Sequence, residues 1–365
     1  MLSSLLIRNY RIFKNIEVTQ LKRVNLFVGK NNTGKSCFLE ALQIYASKGD
    51  PQTINHIISS RDENWNTKID DNAFHQSLAY VFNGYILPEA GKYPIVIGPI
   101  HDDANQLIIS IKAFQVSEDE EGRKIGIALD PTKIKDDMID IQMALESTMG
   151  QHRCHYLALD TYPFFNRAYK NHSALTLNYQ IVKTQHISDE KLSELWDNIN
   201  LTDLEDEILS CLKIINTNIS GIALVSDVSG KSNKRIPIVR IKGVKERIPL
   251  KTMGDGLTRL FHIILALVNA KNGLLLIDEF ENGLHWTVLP KIWHAMIKLS
   301  KALNVQVIAT THSRDCIKSF NENWKSNENE ASFYRLENEP IYGGRIIPYT
   351  NELLSDAIES EVEVR

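Results

Sequence analysis

Three short runs of the chain are dominated by apolar residues and carry no charge: VNLFV before Gly29, LLLI at 274–277 and VQVIAT at 305–310. None is long enough for a helix, and each reads as a strand buried on both faces. Around them the apolar positions recur at helical spacing. Phe38, Leu39, Leu42 and Ile44 predict an amphipathic helix soon after Gly29, residues 257–268 predict a long apolar one, and a further helix separates the second run from the third. Buried strands alternating with helices predict an α/β fold with a central, mostly parallel sheet covered on both faces.

LLIRNY and IEVTQL, close to the N-terminus, predict short strands and thus an N-terminal antiparallel β portion. Strand-like runs follow at 93–97 and 107–113, and the acidic SEDEEG after them reads as a solvated loop. Over 188–215, Leu192, Leu195, Trp196 and Ile199 mark one helix, with Trp196 on its core face. Thr202 and Glu205 form the capping box of a second helix. With no internal repeat and no low-complexity linker, residues 1–365 read as a single domain, with a helical insertion or arm at about 130–216.

Composition adds limits. A 365-residue chain that is 43% hydrophobic and 24% charged has ample material for a core. Its net charge of −4 gives no global argument for nucleic acid, so any such contact needs a local patch. Cys37, Cys154, Cys211 and Cys316 are far apart and form no C-x-x-C pair, which fits reduced thiols rather than a disulfide framework or a zinc site. Arg8 and Arg11 interrupt the N-terminus too early for a signal-peptide core, and no stretch reaches the ~18–20 apolar residues of a membrane span. The expectation is a cytoplasmic protein with no membrane contact.

The chemistry sits where the buried strands end. Gly29-Lys30-Asn31-Asn32-Thr33-Gly34-Lys35-Ser36 matches G-x-x-x-x-G-K-[ST] between a strand and a helix. The glycines let the backbone curl so that successive N–H groups face phosphate, Lys35 reaches the β/γ oxygens of ATP, and the Ser36 hydroxyl ligates Mg²⁺. LLLI closes on Asp278 and Glu279. Asp278 suits the Mg²⁺ shell, and Glu279 is placed to polarise an attacking water. The third strand closes on Thr310-Thr311-His312-Ser313, making His312 a candidate γ-phosphate sensor at a strand's C-terminal end.

The order of these motifs resembles the ABC-type P-loop ATPases of the SMC/RecF branch, and most of all the ATPase half of OLD (overcoming lysogenization defect) nucleases. In that likeness residues 29–36 are the Walker A loop, Asp278 and Glu279 the Walker B acid and catalytic glutamate, and His312 the switch histidine. Phe280-Glu281-Asn282-Gly283-Leu284-His285 resembles the D-loop, and Thr252-Met253-Gly254-Asp255-Gly256 the signature motif that faces the ATP of the opposite subunit. The tail ELLSDAIESEVEVR is also similar, while the likeness is weak from about residue 50 to 185. Met253 stands where ABC transporters carry the signature serine, leaving Gly254, Asp255 and Gly256 at a helix N-terminus as the anion-binding device. Arg259, one turn on, either lends charge there or is a surface arginine paired with an acid.

The resemblance implies a homodimer, or a higher oligomer, closed through its ATP sites. OLD nucleases continue into a TOPRIM nuclease domain, whereas the tail after His312 is too short for one; its Glu359, Glu361 and Glu363 read as solvated. The expectation is an ATPase without its own nuclease centre that controls a separate effector, such as a TOPRIM-like nuclease in anti-phage defence. A RecF-like ATPase acting on DNA in repair, and an ATP-bound scaffold, are the alternatives. The basic segment 231–251 holds eight Lys and Arg against the single acid Glu246: either a stripe tracking DNA phosphates or a half-buried hairpin with a solvated basic face.

Overall fold

Two large sheets sandwich the helix that follows the glycine-rich loop. The computed structural model describes residues 1–64, 77–118, 124–130, 141–159, 177–184, 187–227 and 235–364. β1 (Leu5–Tyr10) and β2 (Phe13–Val18) form a hairpin; β3 (Val24–Val28) leads into α1 (Lys35–Ala46) and α2 (Pro51–Ser59). β4 (Ile95–Gly98), β5 (Leu107–Glu118), β6 (Lys124–Ala128), β7 (Ile141–Met149) and β8 (His152–Ala158) complete an antiparallel sheet of order β2-β1-β4-β5-β7-β8, with β6 on β5. After β9 (Tyr179–Val182) come α3 (Asp189–Asp197), α4 (Asp203–Leu212) and a small sheet of β10 (Ile219–Ser226), β11 (Arg235–Ile241) and β12 (Ile248–Pro249). The chain continues through α5 (Asp255–Asn269), β13 (Leu274–Ile277), α6 (Leu289–Ala302), β14 (Gln306–Thr311), α7 (Arg314–Trp324), β15 (Ala331–Glu337), β16 (Arg345–Tyr349) and α8 (Asn351–Glu359).

The central sheet has the order β16-β15-β3-β14-β13-β9 and is parallel except for β16. Its two faces follow from the two-residue period of a strand. Leu26, Leu275, Ile277, Val307 and Ala309 face the helical core built by α5, α6 and α7, whereas Phe27, Leu274, Leu276 and Ile308 face α1, α2 and the antiparallel sheet. The expected mostly parallel sheet with helices on both faces is therefore present.

Several local expectations change. α1 is buried nearly all round rather than amphipathic, because the second sheet covers the side a surface helix would expose; Glu40 and Gln43 are buried with its apolar residues. Glu40 is held there by Arg11 Nε at 3.1 Å and Arg61 Nε at 2.7 Å. The second strand runs Phe13–Val18 rather than 16–21. The hairpin closes at Tyr10↔Phe13, with Arg11 in left-handed backbone (φ 49°) and its guanidinium drawn inward onto Glu40 and Glu63. Within the insertion assigned to 130–216, helix forms at Asp189–Asp197 and Asp203–Leu212, but Ile141–Met149 and His152–Ala158 are strands of the antiparallel sheet. SEDEEG begins inside β5, and its residues 119–122 lie outside the described residues. The capping box is displaced by one residue: Thr202 caps the Leu204 amide, while Glu205 accepts from Leu201 N. Trp196 is core, tilted against Phe261.

All four cysteines are free, buried thiols. Glu359, Glu361 and Glu363 are exposed. Among the described residues no helix is long and apolar enough to cross a membrane.

Candidate nucleotide-binding and catalytic site

β3, β14 and β13 are neighbours, and their C-terminal ends deliver the glycine-rich loop, His312 and the Asp278–Glu279 pair to one edge of the sheet. The loop's shape depends on its glycines. A Cβ on Gly29 would meet the Leu336 carbonyl at 2.5 Å, and Gly34 adopts φ 96° to cap α1. Lys30, Asn31 and Asn32 form an exposed tip, while Thr33 turns inward and its hydroxyl donates to the Lys30 carbonyl at 2.9 Å. Lys35, the first residue of α1, is buried and donates to the carbonyls of Gly29 (2.7 Å) and Lys30 (2.9 Å). Burial lowers its ammonium below the usual lysine range, opposed by the field of Asp278, Glu279 and Glu281.

Asp278 is held from two sides. Ser36 Oγ lies 3.2 Å from Asp278 Oδ2, and the Thr310 hydroxyl donates to Asp278 Oδ1 at 2.7 Å. At Glu279 the chain leaves the strand in left-handed backbone (φ 48°), a conformation a non-glycine residue adopts only when its surroundings fix it. Here β14 does so: Glu279 N donates to Thr310 Oγ1 at 3.0 Å, and Phe280 N to the Thr310 carbonyl at 2.9 Å. Phe280 then anchors the turn by stacking on Trp293, with ring centroids 3.8 Å apart. The turn aims Glu279 outward, where its Oε1 lies 3.4 Å from His312 Nδ1.

Glu281, noted in the sequence only as part of a D-loop-like run, orders the histidine. Its Oε2 accepts from Thr311 Oγ1 at 2.6 Å, its Oε1 accepts from the His312 amide at 3.2 Å, and that oxygen is 3.5 Å from His312 Nδ1. Thr310 and Thr311 are likewise supports that motif reading passed over. A hydroxyl pair before the histidine and a third acid after Glu279 were the available signals, but which hydroxyl meets which acid depends on strand register.

Arg259 is neither a surface arginine nor paired with an acid. It is 8% exposed and donates to three main-chain carbonyls: Lys183 at 2.6 Å, Asp278 at 2.8 Å and Glu279 at 3.1 Å. Its charge thus braces the acidic turn of its own chain. Burial depresses its pKa, against the field of Asp278, Glu281 and Glu279.

Gly254, Asp255 and Gly256 open α5 without a side-chain cap, Gly254 at φ 99° with open space around it. Their packing is against the turn after the acids rather than the glycine-rich loop: a Cβ on Gly256 would lie 2.9 Å from the Gly283 carbonyl. Of the basic segment, Lys242, Lys245, Arg247 and Lys251 are exposed. Arg235 is tied to Asp197 at 2.6 Å and Arg240 to Ser220 at 3.2 Å, while Lys231 and Lys234 lie outside the described residues. Among the described residues no continuous basic strand face results.

Comparison with known proteins fits this geometry. The family described as "AAA domain, putative AbiEii toxin, Type IV TA system" matches residues 24–315, from the start of β3 to just beyond His312. A curated protein named ATP/GTP phosphatase, from Helicobacter pylori (strain ATCC 700392 / 26695), is 27% identical over 343 residues, covering 87% of each chain. Among solved structures, the Smc head bound to the C-winged helix domain of ScpA aligns with 98% of this chain and 99% of its own, at 12% identity and a TM-score of 0.50. That likeness places the fold with SMC-head, ABC-type P-loop ATPases.

Proposed function

The chain belongs to this AAA-domain family, and on that premise we propose that it is a Mg²⁺-dependent ATPase whose complete active unit is a homodimer closed over ATP. The observation that carries this reading is the meeting of Lys35, Ser36, Asp278, Glu279 and His312 at the ends of adjacent strands, with Ser36 and Asp278 3.2 Å apart and Glu279 and His312 3.4 Å apart.

Residues 29–36 bind the triphosphate through backbone N–H groups, and Lys35 exchanges its loop carbonyls for β/γ oxygens. A hydroxyl beside a carboxylate is a hard-oxygen pair that suits Mg²⁺, so Ser36 and Asp278 would hold it. Held there, the ion would neutralise part of the phosphates' negative charge. Glu279 orients a water and takes its proton as the water oxygen bonds to the γ-phosphorus. The bond from that phosphorus to the β–γ bridging oxygen breaks, leaving ADP and phosphate. His312 steadies Glu279 and the γ-phosphate. The uncapped N-terminus of α5, at Gly254, Asp255 and Gly256, faces outward and supplies the anion-binding end needed by a second copy's nucleotide. The phosphatase name of the H. pylori relative supports hydrolysis and adds GTP as a substrate to try.

In this reading the protein is a cytoplasmic, OLD-type ATPase that governs a separate effector, such as a nuclease in defence against foreign DNA. The test is phosphate release from ATP and GTP, with Mg²⁺ or EDTA, alongside sizing chromatography with nucleotide. Mg²⁺-independent turnover, or full turnover at dilutions where only monomer exists, would refute it. A RecF-like role on DNA is favoured by one observation, the exposed Lys242, Lys245, Arg247 and Lys251 between β11 and α5. A mobility shift that weakens steeply with salt would support that role.

A further inference from the structure

β9 is the fourth strand in the row β3-β14-β13-β9, and its register pairs Val182 with Ile277. Lys183 therefore leaves the sheet beside Asp278, at the level of the phosphate site. The main chain is fastened on both sides at this point. Asp278 N donates to the Val182 carbonyl at 2.9 Å, and Arg259 donates to the Lys183 carbonyl at 2.6 Å. A lysine so anchored has only its side chain left to move.

Lys183 is half-buried, and its ammonium lies in the field of Glu40, Arg61 and Asp278, with His56 also feeling its charge. Burial is the largest influence on it and disfavours its charge; Glu40 and Asp278 offset part of that, and Arg61 adds to it. Both acids are already engaged elsewhere. Glu40 serves Arg61 and Arg11, and Asp278 serves Thr310 and Ser36. Among the described residues Lys183 makes no ion pair of its own. A partly desolvated cation with no committed counter-ion among the described residues, at the mouth of a phosphate site, suits an anion that arrives from outside.

We infer that Lys183 binds the terminal phosphate of the nucleoside triphosphate, so that triphosphate is distinguished from diphosphate by a cation on β9. Lys35 and Lys183 then grip the nucleotide from opposite ends of the strand row: Lys35 along the chain of phosphates, Lys183 at the γ-phosphate alone. Two cations there offset the charges of Asp278 and Glu279, so the anionic tail meets less repulsion as it enters. This inference rests on the nucleotide reading of the same site, and the experiment separates the two.

Dissociation constants for ADP and for a non-hydrolysable ATP analogue, both with Mg²⁺, are measured on the full chain, on Lys183→Met, on Lys183→Arg and on Lys35→Ala. Lys183→Met should weaken the triphosphate analogue by about tenfold or more and ADP by less than about twofold, and Lys183→Arg should recover most of the loss. Equal losses for both nucleotides, or no loss, in a Lys183→Met protein that melts like the parent would overturn it. Should Lys183→Met fail to fold, Lys183→Gln, which keeps most of the stem and removes the charge, takes its place with the same readout. Lys35→Ala should lose both nucleotides. Its binding them normally would instead overturn the phosphate-site reading itself, whatever Lys183 does.

Discussion

Thr310 fastens Asp278: its hydroxyl donates to Asp278 Oδ1 at 2.7 Å while accepting the Glu279 amide at 3.0 Å. One buried side chain on β14 thus sets both the Asp278 carboxylate and the backbone turn that aims the glutamate. Thr310→Val keeps the shape and removes both bonds, so it should cost about 1–3 kcal/mol in urea unfolding. Turnover should fall by about tenfold or more, since Asp278 and the turn both lose their guide. Retained stability with unchanged turnover would remove Thr310 from this role.

Glu279→Gln and Lys35→Ala should separate cleavage from binding. On the proposed reading, binding needs Lys35 and Asp278, whereas cleavage needs the carboxylate that takes a proton from water. Glu279→Gln should bind ATP with near-normal affinity, lose about 100-fold or more in turnover, and elute as a dimer with ATP. If it hydrolyses ATP at the parental rate, Glu279 is not the base.

Arg259 supports three carbonyls at the acidic turn from a site that is 8% exposed. Arg259→Met fills similar volume but strips those carbonyls of their donor. The expected cost is about 2–4 kcal/mol, with a matching fall in melting temperature and in turnover. A variant with parental stability and selectively impaired dimer turnover would instead restore the across-subunit role.

Gly256→Ala tests the contact between the start of α5 and the turn after the acids. The added methyl would sit 2.9 Å from the Gly283 carbonyl, a backbone atom that cannot swing aside. Displacement should cost about 1–3 kcal/mol and reduce ATP-dependent dimerisation seen by sizing. Unchanged stability and assembly would show that the turn yields freely.

Thiol chemistry reports the core directly. Burial raises all four cysteines above their usual range, Cys211 to about 12. At pH 8 a thiolate-selective reagent should therefore label the native protein slowly and the urea-unfolded chain fast. Raised folded values mean the unfolded chain gives up these protons first. Stability is thus complete below the unfolded thiol pKa and declines as pH climbs from there towards the folded values. A melting temperature that rises between pH 8 and 10 would contradict this.

The sequence by itself determined the parts whose chemistry is local. The loop at 29–36 needs its glycines, lysine and serine at fixed spacing along one stretch of backbone. LLLI and VQVIAT read as buried strands because they are short, free of charge and apolar at most positions on both faces. These fixed the fold class, and they put Lys35, Ser36, Asp278, Glu279 and His312 on the list before any geometry was known. Only the tertiary structure decided what each of them leans on. That Thr310 meets Asp278, that Glu281 orders His312, and that Arg259 and Lys183 crowd the same turn all follow from β9, β13 and β14 lying side by side in one register. Neighbours in a parallel sheet come from distant parts of the chain and are joined by crossovers. Their pairing is set by burying both sheet faces at once, a condition that no local run of residues records.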